Sequence, residues 1–435
     1  MSPLSLPIRL RPPGRLRGEL HVPGDKSISH RALLLNAIAI GTARITGAGL
    51  GADCRSTLQC LRQLGVVIDE SGDGELVVHG QGLSGLRKAK NVLDCGNSGT
   101  TIRLLLGVLA GLPFSSTVTG DESLRGRPMG RITDPLRLMG ARITGRNDGR
   151  NAPLTVDGGG LAGIDYALPV ASAQLKSSLL LAGLAAAGPT VLRQTAVSRD
   201  HTELMLAAQG VAIQSDGLTL SMEGGQSASA VDINVPGDVS SASFWLIAAA
   251  IHPDADLTLR NVGINPTRAG VLAVLQRMRA DIQIDEIGGG PEPVADIRVR
   301  SSQLRATAIG GAEIPILIDE LPALALAATQ AEGVTEIRDA AELRVKESDR
   351  IAATATELEH LGADVHELDD GFIINGPTPL IGDAVEGHDD HRLAMSLGIG
   401  SLIADGETVL YGADCVVVSY PGFWEQLARV SGRDD

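Results

Sequence analysis

Six times along this 435-residue chain, about every seventy residues, a polar or charged cluster opens an almost unbroken apolar run. The openings are Lys26-Ser27-Ile28-Ser29-His30-Arg31, Asn97-Ser98-Gly99-Thr100-Thr101-Ile102-Arg103 and Ser172-Ala173-Gln174-Leu175-Lys176. They continue with Asp238-Val239-Ser240-Ser241, Asp319-Glu320 and His388-Asp389-Asp390-His391-Arg392. Runs such as 179–187 and 244–251 are apolar on every helical face, so these helices belong inside a core. A buried helix with a polar N-terminus presents unpaired backbone N–H groups there. Six such ends predict a shared site for anions.

The rest of the unit recurs as well. Short strands are expected at 43–46, 117–119, 190–192, 257–259, 335–337 and 408–410, each followed by a second, amphipathic helix. Five of those second helices stop at Gly65, Gly140, Gly210, Arg279 and Gly362; glycine suits a left-handed helix end, which makes Arg279 the odd copy. Hairpin turns are expected at 72–74, 147–149, 215–217, 288–290 and 369–371, and the sixth copy ends early, near Gly432. Val22-Pro23-Gly24-Asp25 returns as Val235-Pro236-Gly237-Asp238, as though the chain crosses twice between two lobes. The expectation is an α/β fold of two lobes, 22–235 and 1–21 plus 236–435, with three βα modules each and the helix N-termini facing an interlobe cleft.

Composition narrows the partners. A net charge of −15 argues against nucleic acid or an anionic membrane, and 2% aromatic residues argue against base or sugar stacking. Cys54, Cys60, Cys95 and Cys415 form no CxxC pair and no zinc spacing, which points to reduced thiols in the cytoplasm. No apolar run reaches the ~18 residues of a membrane span. The basic N-terminal stretch before Glu19 faintly resembles a transit peptide, but structure is expected to begin almost at once.

Each cluster has a bland reading beside the functional one. Lys26 and Arg31 are cations at a helix N-terminus, where they oppose the dipole; an anion would offset that. Ser27 alone reads as a cap. Gly96 to Thr100 is a glycine-rich helix entry at which bare amides approach anionic oxygens closely, or simply a helix start. Arg125, Arg127 and Arg131 supply guanidinium forks on a loop before a helix. Asp200 and Glu203 are spaced for a capping box, which leaves Arg199 unexplained. If the chain is helical from Lys346, then Lys346, Glu347 and Arg350 share a face, as a substrate cluster or a solvated ion-paired surface. Asp319 reads as a cap or as a general base. His388 and His391 lack a third ligand and have Arg392 beside them, so no metal is expected. Gly47 to Ala52, with Asp69 and Glu70 further on, fits a dinucleotide fingerprint, yet Asp53 would sit against the pyrophosphate.

Six motifs in order, from Val22 to Leu427, carry a resemblance to the 5-enolpyruvylshikimate-3-phosphate synthases, an enolpyruvyl transferase family. They are Pro-Gly-Asp-Lys-Ser-Ile-Ser-His-Arg, Gly-Asn-Ser-Gly-Thr, Arg-Pro-Met, Ser-Ala-Gln-Leu-Lys-Ser, Arg-Val-Lys-Glu-Ser-Asp-Arg and Asp-His-Arg-Leu-Ala-Met. The resemblance implies a two-lobed inside-out α/β barrel of six βαβαββ repeats, three per lobe. It implies transfer of the enolpyruvyl group of phosphoenolpyruvate to the 5-hydroxyl of shikimate 3-phosphate, by a cytoplasmic monomer without cofactor or metal. Lys26, Ser27, Arg31, Ser172, Gln174, Arg199, Asp319 and Lys346 would meet shikimate 3-phosphate. Lys26, Gly99, Arg127, Gln174, Arg350 and Arg392 would hold phosphoenolpyruvate. Asp319 would accept the hydroxyl proton and Glu347 would protonate the methylene carbon, a task in which Lys26 is able to share.

Two departures stand out. Val418 occupies the place where many relatives carry a Lys that contacts phosphoenolpyruvate, and Ala173 drops a hydroxyl from the shikimate phosphate site. Gly99 leaves room that Ala would fill, a position linked in the family to glyphosate tolerance, so inhibition by glyphosate is expected. The nearest rival, the enolpyruvyl transferase that acts on UDP-N-acetylglucosamine, uses a loop Cys absent from Leu124-Arg125-Gly126-Arg127-Pro128. A Rossmann oxidoreductase and a non-catalytic anion-binding module are the remaining alternatives.

Overall fold

All six apolar runs are helices: α1 (Lys26–Ile38), α2 (Gly99–Ala110), α3 (Ala173–Gly183), α4 (Val239–Ile251), α5 (Leu321–Thr329) and α6 (His391–Gly400). They come from a computed structural model that describes residues 6–71, 74–288 and 290–432. In α4 every residue from Val239 to Ala250 is buried, and in α2 only Thr100 is not. Burial of a Leu or Phe contributes about 1.5–3 kcal/mol, which outweighs the modest helix propensity of such runs.

The chain forms two compact units. One comprises Gly24–Pro236 with a short stretch ending at Glu292, and has α1, α2 and α3 at its centre. The other holds the remaining described residues, with α4, α5 and α6 packed together.

Among the described residues the strands form six sheets, five of four strands and one of three. The second module shows the pattern. Leu93–Asp94 runs parallel to Ser115–Thr119, which pairs antiparallel with Asn151–Asp157, itself paired antiparallel with Arg142–Gly145. In the first module the parallel strand is Ile233–Asn234, from the far end of the same unit, with Ile233 opposite Ile45. The shortened sixth module is completed by the N-terminal segment. Ile8–Leu10 pairs antiparallel with Thr408–Tyr411, where the other modules place a hairpin strand, and Leu16–Leu20 joins Ala255–Gly263 in the fourth sheet.

The repeated Val-Pro-Gly-Asp segments have a local cause. In the first unit the Asp25 N–H donates to the Pro236 carbonyl at 2.8 Å; in the second, the Asp238 N–H donates to the Pro23 carbonyl at 2.8 Å. A Cβ on Gly24 would lie 1.9 Å from the Gly47 carbonyl oxygen, and one on Gly49 would lie 2.3 Å from that of Gly24. The glycines of the dinucleotide-like motif therefore let two backbone segments touch. Asp69 and Glu70 bind His79, Arg55 and Arg62, which removes the remaining argument for a Rossmann site.

Gly65, Gly140, Gly210 and Gly362 all take left-handed φ at the ends of the second helices, and so does Arg279, with φ 67°. The Asn147 to Gly149 turn is left-handed throughout, with φ of 49°, 56° and 70°. The turns expected at 72–74 and 288–290 fall partly outside the described residues.

Candidate active site

In the unit built on α1 to α3, Asp25 rather than Ser27 caps α1: its Oδ1 accepts the Ile28 N–H at 2.8 Å. Lys26 and Ser27 are left in the first turn, with Lys26 Nζ 3.2 Å from Asp53 Oδ2. Burial pushes the Asp53 carboxyl upward, but Lys26, together with His30 and Arg127, holds it below the usual carboxylate range. Arg31 is buried and donates to Thr202 Oγ1, Ser177 Oγ and the Ser27 carbonyl at 2.7, 2.9 and 3.0 Å. All three acceptors are neutral hydroxyl or carbonyl oxygens. Burial lowers the Arg31 pKa, and the charge of Arg199, in the loop before the helix His201–Ala208, adds to the effect.

Ser172 caps α3, accepting from the Leu175 N–H at 3.4 Å. Gln174, two residues on, bridges to α2: its Oε1 accepts from Arg103 Nη1 at 2.8 Å and its Nε2 donates to Thr100 Oγ1 at 3.0 Å. Gly99 lies beneath two guanidinium groups. A Cβ there would stand 2.7 Å from Arg103 Nη1 and 3.5 Å from Arg127 Nη1. Arg127 is held by the Asn97 side chain and by Ser123 Oγ. Burial, with the charges of Arg131 and Arg127, brings the Arg103 pKa down to about 10. A buried guanidinium crowded by two others is poised for an anion. The sequence placed Arg103 in the polar opening of α2 without giving it a role; its burial beside Gln174 makes it a candidate site residue.

Lys176 and Glu203 behave differently. Lys176 is buried, with Nζ 2.6 Å from Glu203 Oε1 and 3.0 Å from the Ser198 carbonyl, and so ties α3 to the next helix. Since Glu203 reaches Lys176 and the Asp200 side chain makes no cap hydrogen bond, the expected capping box does not form.

The second unit gathers its charged groups at the N-termini of α5 and α6. Asp319 does not cap α5, whose N-cap position is taken by Glu320 without a side-chain bond. Its carboxylate instead lies 3.6 Å from Arg350 Nη1 and 3.9 Å from both Lys346 Nζ and Arg392 Nη2. Arg392 Nη1 also donates to the Asp319 carbonyl at 3.1 Å. Asp390 caps α6 through the Arg392 N–H at 3.0 Å and accepts from Arg350 Nε at 2.7 Å. Glu347 meets Arg350 Nη2 at 2.7 Å. Burial pushes the Glu347 carboxyl upward, yet Arg350, supported by His391 and Arg392, keeps it below the ordinary range.

This cluster does not come from helical spacing, as the sequence suggested. Ala341–Val345 is a 3-10 turn, Lys346 has a non-helical backbone, and the helix starts at Arg350 with Asp349 as its cap. His388 pairs with Glu357 at 2.7 Å. No group of three His, Cys, Asp or Glu side chains among the described residues is placed to hold a metal ion. Val418 is exposed at the end of the 3-10 turn Ala413–Val418.

Cationic side chains near the N-termini of α1 and α2 in one unit, and a carboxylate among three cations in the other, are chemistry suited to anionic substrates. The profile of the EPSP synthase (3-phosphoshikimate 1-carboxyvinyltransferase) family matches residues 10–427, and the chain belongs to that family. It is 51% identical over 416 residues to a 3-phosphoshikimate 1-carboxyvinyltransferase of Bacillus cytotoxicus, covering 95% of this chain and 98% of that one. A Bacillus cereus protein of the same name is 52% identical over 417 residues, covering 96% and 97%. Among solved structures, EPSP synthase from Acinetobacter baumannii superposes with a TM-score of 0.91 at 44% identity, covering 97% of this chain and 98% of that one. The enolpyruvyl transferase NikO from Streptomyces tendae shares the fold, with a TM-score of 0.77 at 20% identity and 98% of each chain covered. The two-lobed α/β architecture of three modules per unit is thereby accounted for.

Proposed function

We propose that this chain transfers the enolpyruvyl group of phosphoenolpyruvate to the 5-hydroxyl of shikimate 3-phosphate and releases phosphate. The observation that supports it best is Asp319: a carboxylate released from helix capping and set within 4 Å of Lys346, Arg350 and Arg392. Lys26, Ser27, Arg31, Ser172, Gln174, Arg199, Asp319 and Lys346 bind shikimate 3-phosphate in this reading. Lys26, Gly99, Arg127, Gln174, Arg350 and Arg392 bind phosphoenolpyruvate, and Arg103 supports that set through Gln174.

Two phosphorylated substrates repel unless cations intervene, since each phosphate carries about −1.5 to −2 charges at neutral pH. Asp319 takes the proton from the 5-hydroxyl as its oxygen attacks C2, while Glu347 delivers a proton to C3. The tetrahedral intermediate then returns a proton from its methyl group as phosphate leaves with the second one. Glu347 must be protonated for its step, whereas Arg350 favours its anion. An anionic group of phosphoenolpyruvate arriving at Arg350 and Arg392 offsets those cations and raises the carboxyl pKa, so substrate binding arms the acid.

We assign it the setting of a cytoplasmic monomer. No described helix is long and apolar enough to cross a membrane, and the described cysteines are free thiols. A light-scattering mass of two chains would refute the monomer. The reaction itself is tested by phosphate release from phosphoenolpyruvate with shikimate 3-phosphate or UDP-N-acetylglucosamine as acceptor. Release that depends on shikimate 3-phosphate is expected; release with the sugar nucleotide alone overturns the assignment.

A further inference from the structure

Behind Asp319 the second unit buries a carboxylate to which the proposed reaction gives no role. Glu320 is 1% exposed. Its Oε1 accepts from Ser240 Oγ on α4, lies 3.0 Å from Arg268 Nη1 and stands 3.6 Å from Arg392 Nη1 on α6. Arg268, itself 3% exposed, also donates to Ser240 Oγ and reaches Asp238 Oδ1, the cap of α4, at 3.4 Å. One carboxylate oxygen therefore joins the N-termini of all three central helices of this unit. Glu320 Oε2 is buried with no hydrogen-bond partner among the described residues.

A buried carboxylate is expensive to desolvate and needs more than packing to justify it. Arg268 alone would neutralise it. What Arg268 does not explain is the approach of Arg392, which already has its N–H bond to the Asp319 carbonyl. Arg392 sits in the first turn of α6, where the dipole disfavours a cation, and among the described residues both Asp319 and Glu320 lie within 4 Å of its guanidinium. Asp319 loses its charge whenever it accepts a proton. Glu320, buried between Arg268 and Arg392, takes no part in that proton transfer.

We propose that Glu320 is a positioning residue: with Arg268 and Ser240 it fixes the Arg392 guanidinium for the carboxylate or phosphate of phosphoenolpyruvate. The inference rests on the proposed reading of Arg392 as a phosphoenolpyruvate ligand, and touches no substrate itself.

The test is steady-state kinetics of Glu320→Gln, which keeps the volume and an acceptor for Ser240 but removes the charge. KM for phosphoenolpyruvate should rise about tenfold while KM for shikimate 3-phosphate stays within about twofold. Glu320→Asp, which keeps the charge on a shorter arm, should fall between the wild type and Gln. A Glu320→Gln protein that melts earlier yet binds phosphoenolpyruvate normally shows a purely structural residue and overturns the proposal. If Gln prevents folding, Glu320→Asp decides alone: a selective rise in KM for phosphoenolpyruvate supports the proposal, and an unchanged one overturns it. Arg392→Lys separates the two levels. Unchanged KM for phosphoenolpyruvate in that variant removes Arg392 from the site, and this inference with it. A raised KM there beside a normal Glu320→Gln sinks only the role of Glu320.

Discussion

Arg350 donates two hydrogen bonds to Asp390, from Nε at 2.7 Å and from Nη2 at 3.2 Å, and neither side chain exposes more than 1% of its surface. The same carboxylate caps α6. One residue thus sets both the helix that presents Arg392 and the guanidinium that faces Asp319. Asp390→Asn keeps the cap but removes the charge, leaving Arg350 buried with less compensation. A loss of about 3 kcal/mol is expected in denaturant unfolding. Burial pushes the Asp390 carboxyl upward, but Arg350 outweighs it and holds it below its ordinary 3.8. With the folded pKa depressed, the stabilisation is complete above that ordinary value and is lost as pH falls through the lower folded one. Wild-type stability should therefore drop on acidification below 3.8, and Asp390→Asn should lack that component.

Glu347 has a different task, because its partner Arg350 favours the charged form that cannot donate a proton. Glu347→Gln removes the acid while preserving a polar contact to Arg350. A fall in kcat of about 10²–10⁴-fold is expected with little change in either KM. Near-normal turnover would transfer the protonation to Lys26 or elsewhere.

Gly99 is pressed from above by Arg103 and Arg127. A methyl group there would meet Arg103 Nη1 at 2.7 Å, so that guanidinium must shift and carry Gln174 with it. Gly99→Ala should raise KM for phosphoenolpyruvate about tenfold, since a displaced ligand group loses alignment rather than charge. If glyphosate occupies the same space, it should inhibit the wild type and inhibit Gly99→Ala more weakly. Equal inhibition of the two proteins would place the inhibitor elsewhere.

The helices and their polar N-terminal turns were legible because both are local: an apolar run declares burial, and the polar residues before it mark where the helix begins. Partners were not. Arg31 finds Thr202 through the packing of separate modules, Lys26 finds Asp53 on the second helix of its own module, and no spacing rule encodes either. Local rules misled where a better distant partner existed. Glu203 fits a capping box but goes to Lys176, and Asp319 fits a cap but faces three cations. The stretch from Lys346 to Asp349 had helical spacing, yet Asp349 caps the helix from outside and starts it at Arg350. Arg103 lay in a motif already recognised, and only its burial beside Gln174 revealed it.

Arg279 shows the repeat under strain. It takes φ 67° where four other modules have glycine. A non-glycine residue in that conformation costs roughly 1–2 kcal/mol. Arg279→Gly should stabilise the protein by about 1 kcal/mol, partly offset by the greater freedom of glycine in the unfolded chain. A lower melting temperature would mean that the Arg279 side chain contributes more than its backbone strain removes.

His30 supplies the last prediction. It is buried on α1, with Nδ1 2.7 Å from Thr57 Oγ1, and Thr57 continues to Thr101 and the α2 cap Ser98 through two more 2.7 Å contacts. Burial drives its pKa from 6.5 down to about 3, against the pull of Asp53. The unfolded chain therefore binds a proton below pH 6.5 that the folded chain refuses until about pH 3. Stability falls with pH across that window, by about 1.4 kcal/mol per unit once well below the upper limit. Urea unfolding at a series of pH values from 7 to 4.5 should show this slope in the wild type. His30→Gln, whatever its stability at neutral pH, should unfold with a shallower slope. Identical slopes in the two proteins would mean that His30 is protonated in the folded state, and that the hydroxyl chain linking α1 to the α2 cap is organised around a cation.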